Sequence, residues 1–418
     1  MASKANGRLP IKSGVLVVGI DVAKRRHVAA IRFPDGRFQR PFSFSNDQEG
    51  FAKLLERVGL AGAASGSSEV RFGLEATGHY GHALQHFLLA RGAVVTSVNP
   101  AHTRRAKELL DGSPEKSDPK DAMLVAELVA QGRGRPLTMP MGVYAELRRL
   151  GKLREQLAAE RIRHLNRYYG LVDLVFPELE GLVYDVRCLS IRRLLAAYPT
   201  AADVAAGGCE EICGLLWRVS IGHLGAARGQ QIYAAAQRSV GVREGLSALR
   251  LQMRLALASL DSVSAQLAQV EQAQCEALTQ IPYAAHLLTI PCLGPVTVAT
   301  VLGETGDLRQ YRSAEALIKL AGLNLYSLSS GTFQGRTRIS KRGRPLLRHA
   351  IFLGALRMSK HGQPLAAFHD RLGDRLAGPQ VAVAGCRKVL RLLYALARDG
   401  VSYVPDRLAT MTSDQVAA

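Results

Sequence analysis

Four acidic residues in the first third of the chain have the side-chain type and spacing that metal-dependent phosphodiester chemistry uses. Asp21 and Glu75 each follow a short apolar run, so their carboxylates are expected at the carboxyl ends of strands, where open α/β sheets bind ligands. Asp118 and Asp121 lie three residues apart, and Pro119 suits the first turn of a helix, which puts both acids on one side of it. If the four converge, they form an oxygen-rich site for Mg²⁺. Two such ions about 4 Å apart could activate an attacking oxygen and stabilise a leaving one.

Each of these acids, taken singly, also has an ordinary structural explanation. Asp21 could be a turn residue at a strand end, and Glu75 could be a surface acid. Asp118 could be a helix N-cap, and Asp121 could be a favourable charge near the helix dipole. The metal-site hypothesis depends on the set, because all four sit at the ends of elements in one α/β domain.

The elements that must position these acids lie in residues 14–135, where strand and helix signals alternate. A continuous aliphatic run at Val15–Ile20 is typical of a buried central strand, and Pro34-Asp35-Gly36 predicts a turn between the next two strands. Strands interleaved with helices predict an α/β layer with a mixed sheet. The predicted strands are Val15–Ile20, His27–Phe33, Phe38–Phe44, Val70–Leu74 and Val94–Val98, and the predicted helices are the segment after Asn46-Asp47, Tyr80–Arg91 and Ala101–Ala130.

Strand signals nearly vanish in residues 143–280, which predicts a long helical middle region. Apolar residues from Leu147 to Val172 recur mainly at intervals of three and four, as on one face of a long helix. A second series keeps the strict 3-4 alternation of a coiled-coil seam: Met253, Ala256, Leu260, Val263, Leu267 and Val270. Two arrangements are open, namely two helices that pack within one subunit or a coiled coil that joins two subunits. Residues 181–241, between the two helices, are helical and Ala-rich but uninformative about function.

A third segment, residues 281–375, begins with a pattern similar to a helix-hairpin-helix element. Gly294 would supply the tight turn in Ile290-Pro-Cys-Leu-Gly-Pro295. Backbone N–H groups at the start of the second helix can hold a phosphate, although an ordinary helix-turn fits the pattern as well. Residues 376–418 are expected to form a C-terminal helix and tail.

The charge balance points to a polyanionic partner. The chain of 418 residues has 54 Lys+Arg against 35 Asp+Glu, a formal net charge of +19, which favours nucleic acid or an anionic membrane surface. From Ala316 to His369 there are nine Lys/Arg and no acid. A membrane-surface segment would need Trp or Phe opposite the charges on an amphipathic helix, so nucleic acid is favoured. The candidate contacts are Arg336, Arg338, Lys341, Arg342, Arg344 and Arg348, whose guanidinium and ammonium groups suit phosphate oxygens.

Two other kinds of protein are disfavoured. The uncharged stretch from Ala277 to Gly303 contains three prolines, which would break a membrane-spanning helix. The six cysteines lack the paired spacing of metal ligands, which predicts reduced thiols in the core of a cytosolic protein.

Three motifs in the first 125 residues resemble the RuvC-like DEDD domain of the IS110-family transposases. They are Gly19-Ile-Asp-Val-Ala-Lys24, Glu75-Ala-Thr-Gly78 and Ser117-Asp-Pro-Lys-Asp-Ala122. The third segment resembles the C-terminal domain of the same family. The motifs that carry this second resemblance are Leu293-Gly-Pro295, Leu320-Ala-Gly-Leu323, Ser330-Gly331 with Gly335-Arg336, and Ile339-Ser-Lys-Arg-Gly343. Together the matching stretches cover roughly half of the chain.

The resemblance implies both a fold and a chemistry. The fold would be an α/β RuvC-like (RNase H-like) N-terminal domain, a long helical coiled-coil middle and a mostly α C-terminal domain. Two Mg²⁺ ions would be held by the four acids named above. Ser330, which precedes a glycine, would attack DNA, and the adjacent Ser329 is the alternative. A serine hydroxyl is a weak nucleophile at its free pKa, so an oxygen polarised by the metals would have to activate it. The active site would then be assembled from two distant domains, which could belong to one subunit or to two different subunits.

The resemblance also implies partners. Similar family members are guided by a structured non-coding RNA that pairs with donor and target DNA, so that the protein needs only shape and phosphate contacts. A homo-oligomer, either dimer or tetramer, is expected in the bacterial cytoplasm, associated with the nucleoid and not with a membrane. The RNA would account for basic residues outside the acid-free stretch, such as Arg104, Arg105, Lys107, Arg161, Arg163 and Arg167.

The leading hypothesis is therefore an RNA-guided DNA transposase or recombinase that cuts and rejoins strands through a serine nucleophile and Mg²⁺. A RuvC-like junction nuclease that uses only the four acids and metal-activated water is the first alternative. A non-catalytic scaffold that binds nucleic acid is the second. A sugar kinase or an actin-like ATPase is disfavoured, because the sequence has no second phosphate-binding repeat.

Overall fold

The computed structural model describes residues 14–75, 78–110, 118–137, 139–327, 329–330, 333–335 and 337–405. The chain divides into two compact units, Met1–Met139 and Pro140–Ala418. The first unit holds the four acids, and the second holds the long helices and the basic segment.

The first unit is built on a six-stranded mixed sheet. Its strands are β1 Val15–Asp21, β2 Arg26–Arg32, β3 Phe42–Ser45, β4 Glu69–Glu75, β5 Val94–Val98 and β6 Arg135–Pro136. They lie in the order β3-β2-β1-β4-β5-β6. Strands β1, β4 and β5 are parallel, whereas β2, β3 and β6 pair antiparallel to their neighbours. The helices are α1 Gln48–Ser65, α2 His82–Leu89, α3 Pro100–Leu110 and α4 Asp118–Ala130.

Both faces of this sheet are covered, which explains why β1 reads as a continuous apolar run. Leu16, Val18 and Ile20 pack with residues of α1 and α2 on one face. Val15 and Val17, on the other face, pack with residues of α4. Because side chains alternate along a strand, Gly19 and Asp21 also belong to the α4 face.

Two glycines let α4 lie directly on the sheet. Gly19 of β1 and Gly73 of β4 are paired in the ladder. A Cβ atom on Gly19 would overlap the Ala122 carbonyl oxygen and the Ala126 nitrogen, and one on Gly73 would press against Val129. The missing side chains therefore set the distance between α4 and the strands.

The α/β layer and its mixed sheet confirm the fold class predicted for the first segment. The one long helical region predicted at 101–130 is two helices, α3 and α4, and residues 111–117 between them lie outside the described residues. The third strand is shorter than predicted, because Phe38 makes only an isolated bridge to Arg32 before the strand begins at Phe42.

The second unit is mostly helical, as predicted. Its helices are α5 Val143–Val175, α6 Leu179–Leu182, α7 Leu189–Ala197, α8 Ala201–Ala206, α9 Cys209–Ser220, α10 Ala226–Gln237, α11 Leu246–Thr279, α12 Ala284–Leu288, α13 Pro295–Thr305, α14 Ala314–Ala321, α15 Pro345–Met358, α16 Ala366–Gly373 and α17 Gly378–Asp399, with a 3₁₀ turn at Leu308–Gln310. Four two-residue strands lie between α14 and α15: β7 Leu325–Tyr326, β8 Ser329–Ser330, β9 Phe333–Gln334 and β10 Arg338–Ile339.

The apolar seam of α11 is covered by α5 of the same chain. Arg154 of α5 pairs with Glu271 of α11 at 2.7 Å, while Leu157, further along α5, packs against Leu267, which is earlier in α11. The two helices are therefore antiparallel. Of the two arrangements left open by the sequence, the structure shows the packing within one subunit.

Two helices, α12 and α13, flank the turn at residues 290–295, which fits a helix-hairpin-helix-like element and an ordinary helix-turn alike, but the tight turn differs from the prediction. Gly294 is the N-cap of α13 with an extended conformation, φ −75° and ψ 172°. The left-handed residue is instead Cys292, with φ 67°. The expectation that Gly294 supplies this turn was wrong, because Pro295 favours extended backbone in the residue before it.

Two compositional expectations have mixed outcomes. Among the described residues, no helix is long and apolar enough to cross a membrane. All six cysteines are free, but only Cys386 is buried, so the expectation of core thiols was wrong for the other five. Cys209 and Cys213, one helical turn apart on α9, have sulfur atoms 3.9 Å apart.

We predict that Gly19→Ala destabilises the protein by about 1–3 kcal/mol, because a methyl group must displace the α4 backbone. Gly62→Ala is the matched control, since a Cβ at that position in α1 meets nothing within 4 Å. The control should be neutral or stabilising by up to about 1 kcal/mol through helix propensity. Urea unfolding followed by circular dichroism measures both, and equal midpoints for the two variants would contradict the role of Gly19.

Candidate active site

Strand register brings Asp21 and Glu75 together. Strands β1 and β4 are parallel neighbours, and Ile20 is paired with Leu74. Asp21 and Glu75 are the next residues on each strand, so they share both the carboxyl edge of the sheet and its α4 face. Both side chains are half-buried.

The first turn of α4 brings the other two acids to the same edge. Asp118 and Asp121 begin this helix, and the carbonyl of Ala122 lies against Gly19, two residues before Asp21. Asp118 is exposed, whereas Asp121 is half-buried and forms an ion pair with Lys107 of α3. Among the described residues, Asp121 is thus the one of the four acids with a basic partner from a neighbouring helix.

The site is electrostatically crowded around Asp21. Burial raises the pKa of the Asp21 carboxyl, and the carboxylates of Asp121 and Asp118 raise it further. Glu75 adds a smaller increase, while the backbone N–H of Val22 lowers the pKa. Negative charge at this edge therefore disfavours the ionised form of Asp21, and a bound cation would relieve the repulsion.

The donor set fits a hard divalent cation in its chemistry. All four groups are carboxylates, the oxygen ligands that Mg²⁺ prefers, and their mutual repulsion favours a cation among them. Within the described part of the chain, no three acids, histidines or cysteines lie close enough together to form a ready-made metal shell. The structure thus brings the four acids to one edge without closing them into a coordination sphere.

Two positioning residues were missed by the sequence analysis. The backbone N–H of Ala23 donates to His27 Nδ1 at 3.2 Å, which holds the loop after Asp21. Burial lowers the pKa of His27, and the neutral ring can accept this hydrogen bond. The side chain of Asn46 donates to the carbonyl oxygens of Lys24 and Tyr80, at 3.3 and 3.4 Å, and so links the segments that follow β1 and β4. A polar His inside an apolar strand was the only available signal.

The two candidate serines lie on a narrow β-hairpin in the second unit. Strand β7 pairs antiparallel with β10, and β8 pairs with β9, with Ser330 opposite Phe333 in the register. The base of this hairpin is fixed, because Ser340 Oγ donates to Asn324 Oδ1 at 2.5 Å and the Ser340 N–H donates to the Asn324 carbonyl at 2.9 Å.

The structure separates five of the six predicted nucleic-acid contacts into two groups. Arg338, Lys341 and Arg342 are exposed around the hairpin base. Arg344 and Arg348 instead make contacts within the protein, since Arg348 Nη1 donates to the carbonyl of Ala321 at 2.9 Å. Arg336 lies outside the described residues.

Arg344 is part of a buried charge cluster. Its guanidinium is 3.8 Å from Glu304 of α13, and Arg148 of α5 lies 4.0 Å from the same carboxylate. Burial, followed by the nearby Arg148, lowers the pKa of Arg344. Because a buried acid between two guanidiniums is expensive to disrupt, this cluster anchors the basic loop to two helices.

Comparison with known families and proteins gives consistent matches. A family model described as a transposase, that of the DEDD transposases of IS110, matches residues 18–177. A model of the transposase IS116/IS110/IS902 family matches residues 284–370. The first span contains all four acids, and the second contains the hairpin.

Whole proteins of insertion elements are similar along most of the chain. The IS116 44.8 kDa protein of Streptomyces clavuligerus is 26% identical over 400 residues, which cover 95% of this chain and 98% of that protein. The IS110 43.6 kDa protein of Streptomyces coelicolor is 28% identical over 305 residues, 72% of this chain and 75% of that protein. Among solved structures, Thermus thermophilus RuvC with a Holliday junction substrate matches with a TM-score of 0.22 and 16% identity, covering 29% of this chain and 99% of that chain.

We predict that Asp21→Asn raises the unfolding midpoint at pH 7 in EDTA. A carboxyl whose pKa is higher in the folded state costs stability as pH rises through that pKa, so the gain should shrink as the pH falls toward the ordinary aspartate value near 3.8. Asp35→Asn is the control, and we expect it to lower the unfolding midpoint at pH 7. The reason is that hydrogen bonds from Arg37 lower the pKa of Asp35 in the folded protein. Thermal unfolding at several pH values measures both. A lower midpoint for Asp21→Asn at pH 7 would contradict the crowding of charge at Asp21.

Proposed function

The chain belongs to the IS110 family of insertion-element transposases, and from this premise we propose that it is an RNA-guided DNA recombinase that exchanges strands through Ser330 and carboxylate-bound Mg²⁺. The division of labour that we propose follows the sequence segments. Residues 14–135 carry the metal site, 143–280 form the helical connection, 281–375 carry the nucleophile, and 376–418 supply a C-terminal helix and tail.

One observation supports this proposal: four carboxylates from three elements lie at one edge of the first sheet, near enough for three of them to raise the pKa of Asp21. A purely structural role would pair such acids with cations, yet of the four only Asp121 has an ion pair with a described residue. Burial and the acidic neighbours raise the pKa of Asp21. Such unfavourable ionisation is typical of a carboxylate in a metal site before the cation binds.

Asp21, Glu75, Asp118 and Asp121 are the residues that would hold the metal. When bound there, Mg²⁺ supplies positive charge that polarises phosphate oxygens and stabilises a leaving oxygen. The protein contributes rigidity, because the β1–β4 register and the contact of α4 with Gly19 fix three backbone segments relative to one another. His27 and Asn46 hold the loops on either side of the site.

The serine step is a phosphodiester exchange. The Ser330 hydroxyl loses its proton and its oxygen attacks a DNA phosphorus, which forms a phosphoserine bond and releases a strand-end hydroxyl that takes up a proton. The hydroxyl of another strand then attacks the phosphoserine and frees the serine. One phosphodiester is replaced by another, so no nucleotide hydrolysis is needed.

The basic surface would hold the DNA and the structured RNA through their phosphates. Arg338, Lys341 and Arg342 are exposed and suited to this role. Arg344 and Arg348, as described above, support the hairpin from within, so we assign them to positioning rather than to direct contact. Further exposed basic residues for the RNA are Arg104, Arg105, Arg161, Arg163 and Arg167.

The proposal includes a homo-oligomer, dimer or tetramer, in the bacterial cytoplasm at the nucleoid. This part derives from the family resemblance alone. The α11 seam cannot serve as its interface, because α5 buries it within one chain. The alternative function is a junction nuclease that uses the four acids and water, and it is favoured only if the serine proves dispensable.

We predict that Ser330→Ala abolishes the covalent protein–DNA adduct, because it removes the oxygen that the proposal assigns as the nucleophile. The protein is incubated with Mg²⁺, guide RNA and junction DNA, and adducts are detected on denaturing gels. Ser329→Ala is the matched control and should retain the adduct. An adduct from Ser330→Ala would refute the serine assignment, and normal cleavage without any adduct in the wild type would favour the nuclease.

We predict that Asp21→Ala and Glu75→Ala each reduce strand breakage by more than about 100-fold while RNA binding is retained, because each removes a metal ligand. Asp35→Ala, an exposed acid of the same unit, is the control and should cleave normally. Cleavage assays across a Mg²⁺ titration, with RNA binding measured in EDTA, separate the two effects. Undiminished cleavage by either variant would exclude this metal site.

A further inference from the structure

A shallow cleft of about 540 Å³ opens in the second unit beside the turn between α12 and α13. The turn, residues 288–294, forms one wall, and the other is formed by Arg357 in the last turn of α15 together with Lys360 and Gln363, which follow that helix. The cleft lies outside the carboxylate site and the serine hairpin, and the function proposed above gives it no role.

The two walls are held together by a close contact. A Cβ atom on Gly354 of α15 would lie 2.5 Å from Leu293 Cδ2, so the turn packs directly on the helix at this glycine. Arg357 is three residues further along α15 and therefore faces the same side. On the opposite rim, Cys292 Sγ donates to Gln363 Oε1 at 3.1 Å.

The polar side chains of the cleft offer mainly hydrogen-bond donors. Arg357 and Lys360 are exposed cations, and neither has an ion pair with a described residue. Gln363 uses its acceptor oxygen on Cys292, which leaves its NH₂ group to donate. The Thr289 hydroxyl donates to the His286 carbonyl and accepts from the Tyr403 N–H. Such a lining favours an anion over a cation or a neutral polar ligand.

The remainder of the cleft is apolar. Ile290 and Leu293 are buried beneath it, and the side chain of Leu288, 39% exposed, stands at its edge. An inorganic anion would not need this surface, whereas a nucleotide has an apolar base face beside its phosphate. The volume falls within the range of about 300–1,000 Å³ that small-ligand sites occupy.

We propose that this cleft binds one unstacked nucleotide of a nucleic-acid strand. Its base lies against the exposed side chain of Leu288, above the buried Ile290 and Leu293. Its phosphate contacts Arg357, Lys360 and the Gln363 amide. The inference rests on the proposed function, since it assumes a nucleic-acid substrate, and it adds a site that grips a single strand away from the reacting serine. DNA and RNA share this chemistry, and the experiment distinguishes them.

The test compares R357Q/K360Q with R238Q/R243Q. The control removes two exposed arginines from residues 176–245, where seven Arg and seven Asp or Glu balance each other. Binding of fluorescein-labelled 20-nucleotide single-stranded DNA, single-stranded RNA and duplex DNA is measured by anisotropy in EDTA over a range of salt concentrations. EDTA removes catalysis from the readout, so the outcome is independent of the serine and metal assignments.

The expected result is weaker binding of a single strand by R357Q/K360Q, by roughly tenfold, with a salt slope reduced by about 0.7–1.4. Duplex binding should change little, because its bases are stacked and cannot enter the cleft. The control should match the wild type, and the strand that suffers the larger loss, DNA or RNA, identifies the natural occupant. Unchanged single-strand binding, or an equal loss for the duplex, would overturn the nucleotide site.

A second variant tests the apolar wall without changing charge. Leu288→Gln retains both cations, so it should weaken binding of the preferred single strand and leave the salt slope unchanged. Leu189→Gln, at an exposed leucine of α7, is its control. Circular dichroism verifies that each variant is folded. If Leu288→Gln binds the single strand as the wild type does, the base is not held by this wall and the proposal fails.

Discussion

The close contact of α4 with the two glycines of the sheet is the constraint on which the first unit depends. Helices normally pack on sheets through side chains, which leaves room for each to shift. At Gly19 no side chain intervenes and the helix backbone meets the strand, whereas at Gly73 the side chains of Val129 and Val125 fill the space that a Cβ would occupy. The first turn of α4, with Asp118 and Asp121, is thereby held beside the strand end that carries Asp21. This contact therefore helps to fix the relative positions of the three chain segments that carry the four acids.

The two units differ in the sign of the charged residues that cluster in them. In the first unit, four carboxylates lie close to one another, and burial together with this repulsion raises the pKa of Asp21. In the second, basic residues dominate, but some of them serve the protein itself. Arg344 and Arg148 flank the buried Glu304, and this cluster fixes the base of the hairpin. The net charge of +19 therefore overstates the number of cations available to a nucleic acid.

Sequence patterns were accurate where a local rule sets the structure. The buried strand Val15–Asp21 was predictable from its aliphatic run, and the start of α4 from Pro119. Sequence patterns were less informative where the same pattern is compatible with two packing arrangements. The 3-4 spacing of α11 fits a partner helix from the same chain or from another chain equally well, and only the tertiary structure shows that α5 fills the seam. The turn at Cys292 was missed because left-handed backbone at a non-glycine residue leaves no mark in composition.

The sequence by itself determined the fold class, the family motifs and the identity of the four acids, because these depend on residue type and on spacing within single elements. The tertiary structure decided which groups are neighbours. It places Asp21 and Glu75 side by side in the strand register, pairs Lys107 with Asp121, and brings Arg344 close to the buried Glu304. It also revealed a donor-lined cleft between residues about 65 positions apart along the chain. Such contacts depend on how elements pack, and packing is a property of surfaces that are assembled only when the chain has folded.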